Sequence, residues 1–176
     1  MEKVIVTVFK VESEAYQALS KMKSHTAYQE SLKFSQVALL KKSNGQIQWK
    51  DGFDTGIITG DDTWKGGLLG GLIGILGGPL GMLLGLGVGS IAGAVKDTYD
   101  ARDQIGIVKY VSSQLDDDNV AIIAIVKEEI EEIYNRMISD FESFTKRHNI
   151  EDVKEDIKHA EEVEKKLKKQ ADEEMK

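Results

Sequence analysis

Thirty consecutive residues without a charge, from Gly66 to Val95, limit what this chain can fold into more than any other feature. The stretch reads GGLLGGLIGILGGPLGMLLGLGVGSIAGAV. Of the 17 glycines in the chain, 14 lie within it or in the ten residues before it. Because such an apolar segment is rarely left open to water, we expect protein or lipid to cover it.

Many of these glycines recur at every fourth residue, in one series before Pro79 and a second after it. Residues four apart share a helix face, so each series forms a stripe without side chains. Such a stripe allows close packing of apolar helices. Each glycine costs an isolated helix about 1 kcal/mol relative to alanine, and packing has to offset that cost. The predicted helix-packing and oligomer interface is Gly66, Gly70, Gly74, Gly78, Gly81, Gly85, Gly89 and Gly93.

Pro79 and the glycines before it predict a helical hairpin with arms at 63–77 and 80–98. The arms would be roughly 22 and 28 Å long at 1.5 Å per residue, which is short for a bilayer core of about 30 Å. The hairpin could dip into a membrane, span a thin one, or be buried in a protein assembly. The alternative is an internal core hairpin of a soluble monomer.

Two sets of side chains accompany the membrane or assembly interpretations. Aromatic and basic residues bracket the segment, as interfacial anchors do; they are Trp64, Lys65, Lys96 and Tyr99. Large aliphatic residues are expected to face lipid or a neighbouring hairpin; they are Leu68, Leu69, Leu72, Ile75, Leu83 and Leu84.

Outside this segment the sequence alternates between strand and helix patterns. Asn44-Gly45 predicts a two-residue hairpin turn between two strands. A break in the alternation near Ser35-Gln36 predicts a β-bulge. The predicted strands span 4–9, 32–40, 46–50 and 120–126, and the predicted helices span 13–22 and 105–115.

The order strand, helix, strand, strand, helix, strand is that of a ferredoxin-like fold, with two helices on one face of the sheet. We therefore predict an α+β protein. Its ferredoxin-like βαββαβ head is discontinuous, at 1–62 and 99–127. The glycine-zipper hairpin at 63–98 is inserted in the head, and charged amphipathic helices follow at 128–176.

Two amphipathic helices are predicted after residue 127. Their alternating charges are typical of a solvated surface; alternatively, the second helix pairs with a neighbouring subunit. The first carries Ile130, Ile133, Met137, Phe141 and Phe144 on one side and ends near 148–149. The second carries a heptad seam of Ile150, Val153, Ile157, Ala160, Glu164, Leu167 and Ala171.

Composition and motifs exclude several classes of function. A net charge of −7 argues against nucleic acid as a partner, and the absence of cysteine excludes thiol chemistry. The N-terminus, MEKVIVTVFK, reads as a strand and not as a signal peptide. The three histidines are far apart in sequence, and no Gly-x-Gly piece follows a strand as a nucleotide site requires. We predict no catalytic residue, no cofactor, no metal site and no enzymatic activity.

The hairpin segment GGLLGGLIG...GGPLGMLLGLGVGSIAGAVKD, with the strands VIVTVF and NVAIIAIV around it, resembles a bacterial glycine-zipper family of unknown function. Members of that family are described as predicted membrane proteins and are sometimes linked to stress responses. The resemblance covers about Lys3 to Lys127 and supplies no active site.

These observations lead to three hypotheses. The first is a non-enzymatic protein that forms homo-oligomers through its glycine hairpin and inserts into or associates with a membrane, on the cytoplasmic face. The second is a soluble homo-oligomeric shell, ring or filament in the cytoplasm, with no lipid. The third is a small-ligand regulatory domain, since ferredoxin-like folds often contain these.

Overall fold

A five-stranded antiparallel sheet carries the described helices. The computed structural model describes residues 2–25, 30–56, 67–85 and 106–174. Its strands are β1 (Glu2–Phe9), β2 (Leu32–Ser43), β3 (Gln46–Asp54), β4 (Val120–Glu128) and β5 (Ser143–Asn149). Its helices are α1 (Glu12–His25), α2 (Leu68–Gly77), α3 (Pro79–Gly85), α4 (Gly106–Gln114), α5 (Glu131–Ile138) and α6 (Ile150–Glu174).

The first four strands and the turn between β2 and β3 are confirmed, and so is the α+β class. Asn44 and Gly45 have φ values of 54° and 79°. Positive φ at both central residues is what a type I′ hairpin turn requires. The register of β2 against β4 shifts between Phe34 and Gln36, where the bulge was expected.

The strand order is β3-β2-β4-β1-β5, which is not the order of a ferredoxin-like sheet. β1 and β2 are both antiparallel to β4, so they are parallel to each other with β4 between them. In a ferredoxin-like fold the third strand takes that central position. Here the tight turn places β3 outside β2, at the edge, and β4 returns to fill the gap.

Helices cover both faces of this sheet, so the prediction of two helices on one face is wrong. On one face α1 and α5 bury residues such as Leu19 and Tyr134. On the opposite face α2, α3, α4 and α6 bury residues such as Leu72, Val108 and Val153. The two predicted head helices, α1 and α4, therefore lie on opposite sides of the sheet.

The prediction of one helix from Ile130 to about residue 148 is wrong in its second half. Helix α5 ends at Ile138, and 143–149 form β5, which pairs with β1. Its residues alternate between half-buried and exposed as far as Lys146. Pairing satisfies the backbone groups of β1, which would otherwise be a bare edge.

The heptad seam of α6 is buried, but against its own chain. Ile150, Val153, Ile157 and Ala160 are at most 7% exposed and belong to the same core as α2 and α4. This part of the seam has no room for a neighbouring subunit. Beyond Leu167 the helix is exposed as far as its side chains are described.

Candidate association site

The uncharged segment begins as two short helices with a break at Gly78. Helix α2 ends at Gly77 and α3 begins at Pro79, as the sequence predicts. Proline suits the first position of a helix because the amide hydrogen that it lacks has no partner there in any case. Both helices pack on the sheet face that also carries α4 and α6.

The inner side of α2 is buried in its own chain. Leu69, Leu72, Ile75 and Leu76 are at most 3% exposed and contact the sheet core. The prediction that Leu69, Leu72 and Ile75 face lipid or a neighbouring hairpin is therefore wrong for this conformation. Leu68, Leu83 and Leu84 are only half-buried.

The four glycines of α2 lie on the half opposite its buried leucines, with Gly74 outward in the middle and Gly71 and Gly77 at the edges, against α6 and β3. At about 100° per residue, Gly70, Gly71 and Gly77 fall within about 60° of Gly74, and the six Leu and Ile residues occupy the other half. Gly74 is exposed, and a Cβ added to it would meet no heavy atom within 4 Å. The two sides of α2 therefore differ in side-chain size and not in polarity.

Other predicted interface glycines serve the fold of the single chain. A Cβ at Gly78 would overlap the Glu164 carboxylate, and a Cβ at Gly81 would overlap the backbone carbonyl of Leu76. Close approach to backbone atoms explains Gly81 without a partner, whereas the atom nearest Gly78 is the end of a flexible side chain. Gly85 is the last residue of α3, and Gly66, Gly89, Gly93, Trp64, Lys65, Lys96 and Tyr99 lie outside the described residues.

Helix α6 contacts the chain on both sides of residues 86–105, in α2 and in α4. A Cβ on Gly71 would lie 3.5 Å from Ile157 Cγ2. Where the chain returns in α4, the Ile107 backbone N–H donates to Asp156 Oδ2 at 2.8 Å. Gly71 was not among the predicted interface glycines, although plotting the sequence on a helix places it beside Gly70 and Gly74.

The edge strand β3 borders the other side of α2. A Cβ on Gly77 would lie 3.0 Å from the Ile47 carbonyl oxygen, so the end of α2 packs closely on this strand. Trp49 is two residues from Ile47 and shares its sheet face, and it is 45% exposed. An exposed aromatic side chain therefore lies on the sheet face that carries α2, two residues from the strand residue that Gly77 approaches.

Within the described ranges, none of the helices combines the length and the apolar character that crossing a bilayer requires.

A buried charge cluster that no sequence pattern predicts joins β1, β4 and β5 on the face covered by α1 and α5. The Glu128 side chain is fully buried and accepts hydrogen bonds from Arg147 Nε and Nη2, each at 2.9 Å. Lys3 Nζ donates to Glu128 at 3.1 Å and to Glu131 at 2.7 Å. The hydrogen bond from Lys3 lowers the pKa of Glu131. Two cations satisfy two carboxylates, so the cluster stabilises the fold and offers no free group.

A hydroxyl chain lies beside that cluster. The buried Tyr134 hydroxyl is 2.7 Å from Thr7 Oγ1, which is 2.9 Å from Thr145 Oγ1. Burial raises the pKa of Tyr134, so its hydroxyl stays protonated. A protonated phenol with a hydrogen-bond partner is a structural group and a poor nucleophile.

Two partly buried aromatic groups meet between α4 and β5. The rings of Tyr110 and His148 are 5.4 Å apart, and the Lys146 ammonium lies 4.4 Å from the Tyr110 ring centre. Burial raises the pKa of Tyr110. Burial, and then the Lys146 charge, lower the pKa of His148. Within the described chain, neither Tyr110 Oη nor His148 Nε2 has a hydrogen-bond partner.

A cleft of about 440 Å³ opens at the start of β5, beside Ser143. Phe144, which is 61% exposed, forms one wall. Lys10 and Glu142, which form an ion pair with each other, also line it. With its charges already paired, the cleft shows no group set for catalysis.

The described residues contain no cluster of three or more histidines and acids that could hold a metal ion. No protein-family model, curated protein or solved structure matches the chain significantly.

Proposed function

We propose that this is a non-enzymatic, self-assembling protein whose glycine-rich segment drives homo-oligomerisation and association with a membrane. The observation that carries the proposal is the outward half of α2, where Gly70 and Gly74 form a surface without side chains. The sequence continues without a charge to Val95.

Close helix packing is the physical reason for such a surface. Glycine is unfavourable inside a helix by about 1 kcal/mol relative to alanine. Gly81 in α3 offsets this cost through its close contact with the Leu76 backbone, but Gly74 in α2 has no such contact. A second helix against Gly74 would supply it, because small residues four apart let backbones approach closely.

The first test replaces Gly74 with leucine and measures particle mass by light scattering. Gly74 is exposed and a Cβ there meets open space, so we expect the leucine to extend toward solvent, to retain the fold and to block close approach of a second helix. We expect Gly74→Leu to weaken assembly about tenfold or more, the factor that corresponds to roughly 1.4 kcal/mol.

Ser20→Leu is the matched control, because Ser20 is exposed on α1, beyond the opposite face of the sheet. It adds the same side chain and should leave the particle mass unchanged. Equal masses for wild type and Gly74→Leu would remove the glycine surface from the account.

The second candidate is a soluble homo-oligomer without lipid. It is favoured by the burial of Leu69, Leu72 and Ile75 within the chain, because this side of α2 needs no lipid to cover it. Flotation with phosphatidylethanolamine–phosphatidylglycerol vesicles separates the two. A membrane-associated protein rises with the vesicles, whereas a soluble oligomer stays at the bottom of the gradient.

A further inference from the structure

Helix α2 has little intrinsic stability. Four of its ten residues are glycine, and each costs about 1 kcal/mol relative to alanine. Its N-cap, Gly67, provides no side-chain hydrogen bond. Isolated helices shorter than about 12–15 residues are marginal in water even with better sequences. The helical form of α2 therefore depends on what packs against it.

Helix α6 supplies much of that packing. Val153, Ile157, Ala160 and Val163 are buried in the same core as Leu72. Ile157 faces Gly71, and the Glu164 carboxylate lies against Gly78. The contact is close because glycines stand opposite α6.

Helix α6 also contacts the start of α4, the first described element after residue 105. Asp156 Oδ2 accepts the Ile107 backbone N–H at the start of α4, where a free amide of a helix N-terminus would otherwise lack a partner. One helix therefore contacts the chain both before and after the undescribed residues 86–105.

Nothing ionic links α6 to α2 or α3. Residues 68–85 carry no charge, so ion pairs between them and α6 are impossible. Glu164, only 8% exposed, forms its ion pair with Lys168 of its own helix at 3.1 Å. Dispersion and apolar burial hold this contact, and a lipid environment can replace both.

From these contacts we infer that α6 is a clasp: it holds α2 and α3 on the sheet, and its release presents their buried leucine side to a membrane. The inference rests on the proposed function and adds its regulation. The closed form exposes only the glycine side of α2, whereas the open form also exposes Leu69, Leu72 and Leu76. Two forms of one chain then correspond to the soluble and membrane-associated states.

A disulfide lock tests the clasp in the full chain. The protein has no cysteine, so Gly71→Cys with Ile157→Cys introduces one defined pair. A Cβ at 71 lies 3.5 Å from Ile157 Cγ2, an atom one bond beyond the Cβ of residue 157, so the two positions are close enough for a cysteine pair to bridge. We expect the oxidised form to float with phosphatidylethanolamine–phosphatidylglycerol vesicles about tenfold less than the reduced form, because the lock removes the open population.

The flotation results separate failure of the clasp from failure of the proposed membrane association. Equal flotation of the oxidised and reduced forms overturns the clasp and leaves the proposed membrane association standing. If wild type and both forms stay at the bottom, the membrane part of the proposed function fails, and the clasp fails with it.

A second variant needs no cross-link. Asp156→Ala removes the acceptor for the Ile107 amide and should increase flotation about 2- to 30-fold, the factor that a lost helix cap is worth in an equilibrium constant. Glu155→Ala is the control, since it removes the same charge from the neighbouring exposed position. Equal flotation of the two variants would contradict the role given to Asp156.

Discussion

The two faces of the sheet are covered by helices of different kinds. On one face, α1 and α5 bury aromatic rings, with Phe34 and Tyr134 in contact, and ion pairs such as Lys21–Asp140 link them to the rest of the chain. On the other face, α2 and α3 bury only aliphatic side chains and have no charge for an ion pair.

Both faces contain fully buried apolar side chains, so the extent of burial does not distinguish them. The difference lies in polar links and helix propensity. The face with α1 and α5 is fixed by directional interactions, whereas α2 is a weak helix that depends on packing. Local opening is expected where few interactions must break, so the glycine face is the one that can change its partners.

The largest effect is expected in the charge cluster of the fixed face. Arg147→Ala removes two hydrogen bonds from a fully buried carboxylate, Glu128. Breaking one side of a buried pair costs about 3–5 kcal/mol. Urea denaturation should show this loss. Lys127→Ala, an exposed neighbour of Glu128, is the control and should change stability by less than about 0.5 kcal/mol. Similar values for both would contradict the importance of the cluster.

Two leucine truncations compare the faces directly. Leu19 on α1 and Leu72 on α2 are each 1% exposed. Leu19→Ala should lower the free energy of global unfolding by about 2–5 kcal/mol. Leu72→Ala should mainly accelerate amide exchange in α2 and α3, because that layer opens on its own. Equal losses of global stability, with no selective exchange in α2, would show that the faces unfold together.

Two glycines, one in α2 and one in α3, should change the free energy of unfolding in opposite directions when they are replaced by alanine. Gly81→Ala places a methyl group on the backbone of Leu76 and should destabilise by about 1–3 kcal/mol. Gly74→Ala meets open space and should stabilise the monomer by about 0.5–1 kcal/mol through helix propensity. Thermal melts at low protein concentration measure both. Destabilisation by Gly74→Ala would mean that this side of α2 is already occupied.

The smallest effect is acid sensitivity, which both faces share. Burial lowers the pKa of His25 below 6.5. Burial, then Lys146, lowers the pKa of His148, with Asp156 and Asp152 opposing. The folded state favours neutral imidazole, so this stability is present above pH 6.5 and is lost as the pH falls through the folded pKa values.

Urea midpoints between about pH 7 and pH 5 test this linkage. His25→Gln and His148→Gln should each flatten the decline on the acid side. An unchanged pH profile in the double variant would remove the histidines as its cause.

Much of the local structure could be predicted from the sequence. Asn44-Gly45 specifies its turn by itself, and Pro79 specifies the break between α2 and α3. Strand β5 could not be predicted, because Ile133, Met137, Phe141 and Phe144 follow the three- and four-residue spacing of one helix face. That spacing made 143–149 look like the continuation of α5. Pairing with β1 decided its conformation, and that contact is distant in sequence.

The site was predicted only in part for a similar reason. Period-four spacing identifies Gly70 and Gly74 but does not reveal which side of α2 its own sheet covers. Plotting α2 on a helix would have shown that all four glycines, Gly71 included, lie opposite the leucines. The charge cluster was missed because Lys3, Glu128 and Arg147 meet only when three strands are paired.

Hydrogen exchange of the unmodified protein, assembled at high concentration and dispersed by dilution, tests the central claim most directly. If the outward side of α2 is the contact between copies, amides at 70–77 should exchange more slowly in the assembled sample, while those of α1 stay unchanged. Assembly that leaves exchange in α2 unaltered, or a chain that remains at 19.5 kDa throughout, would contradict the account.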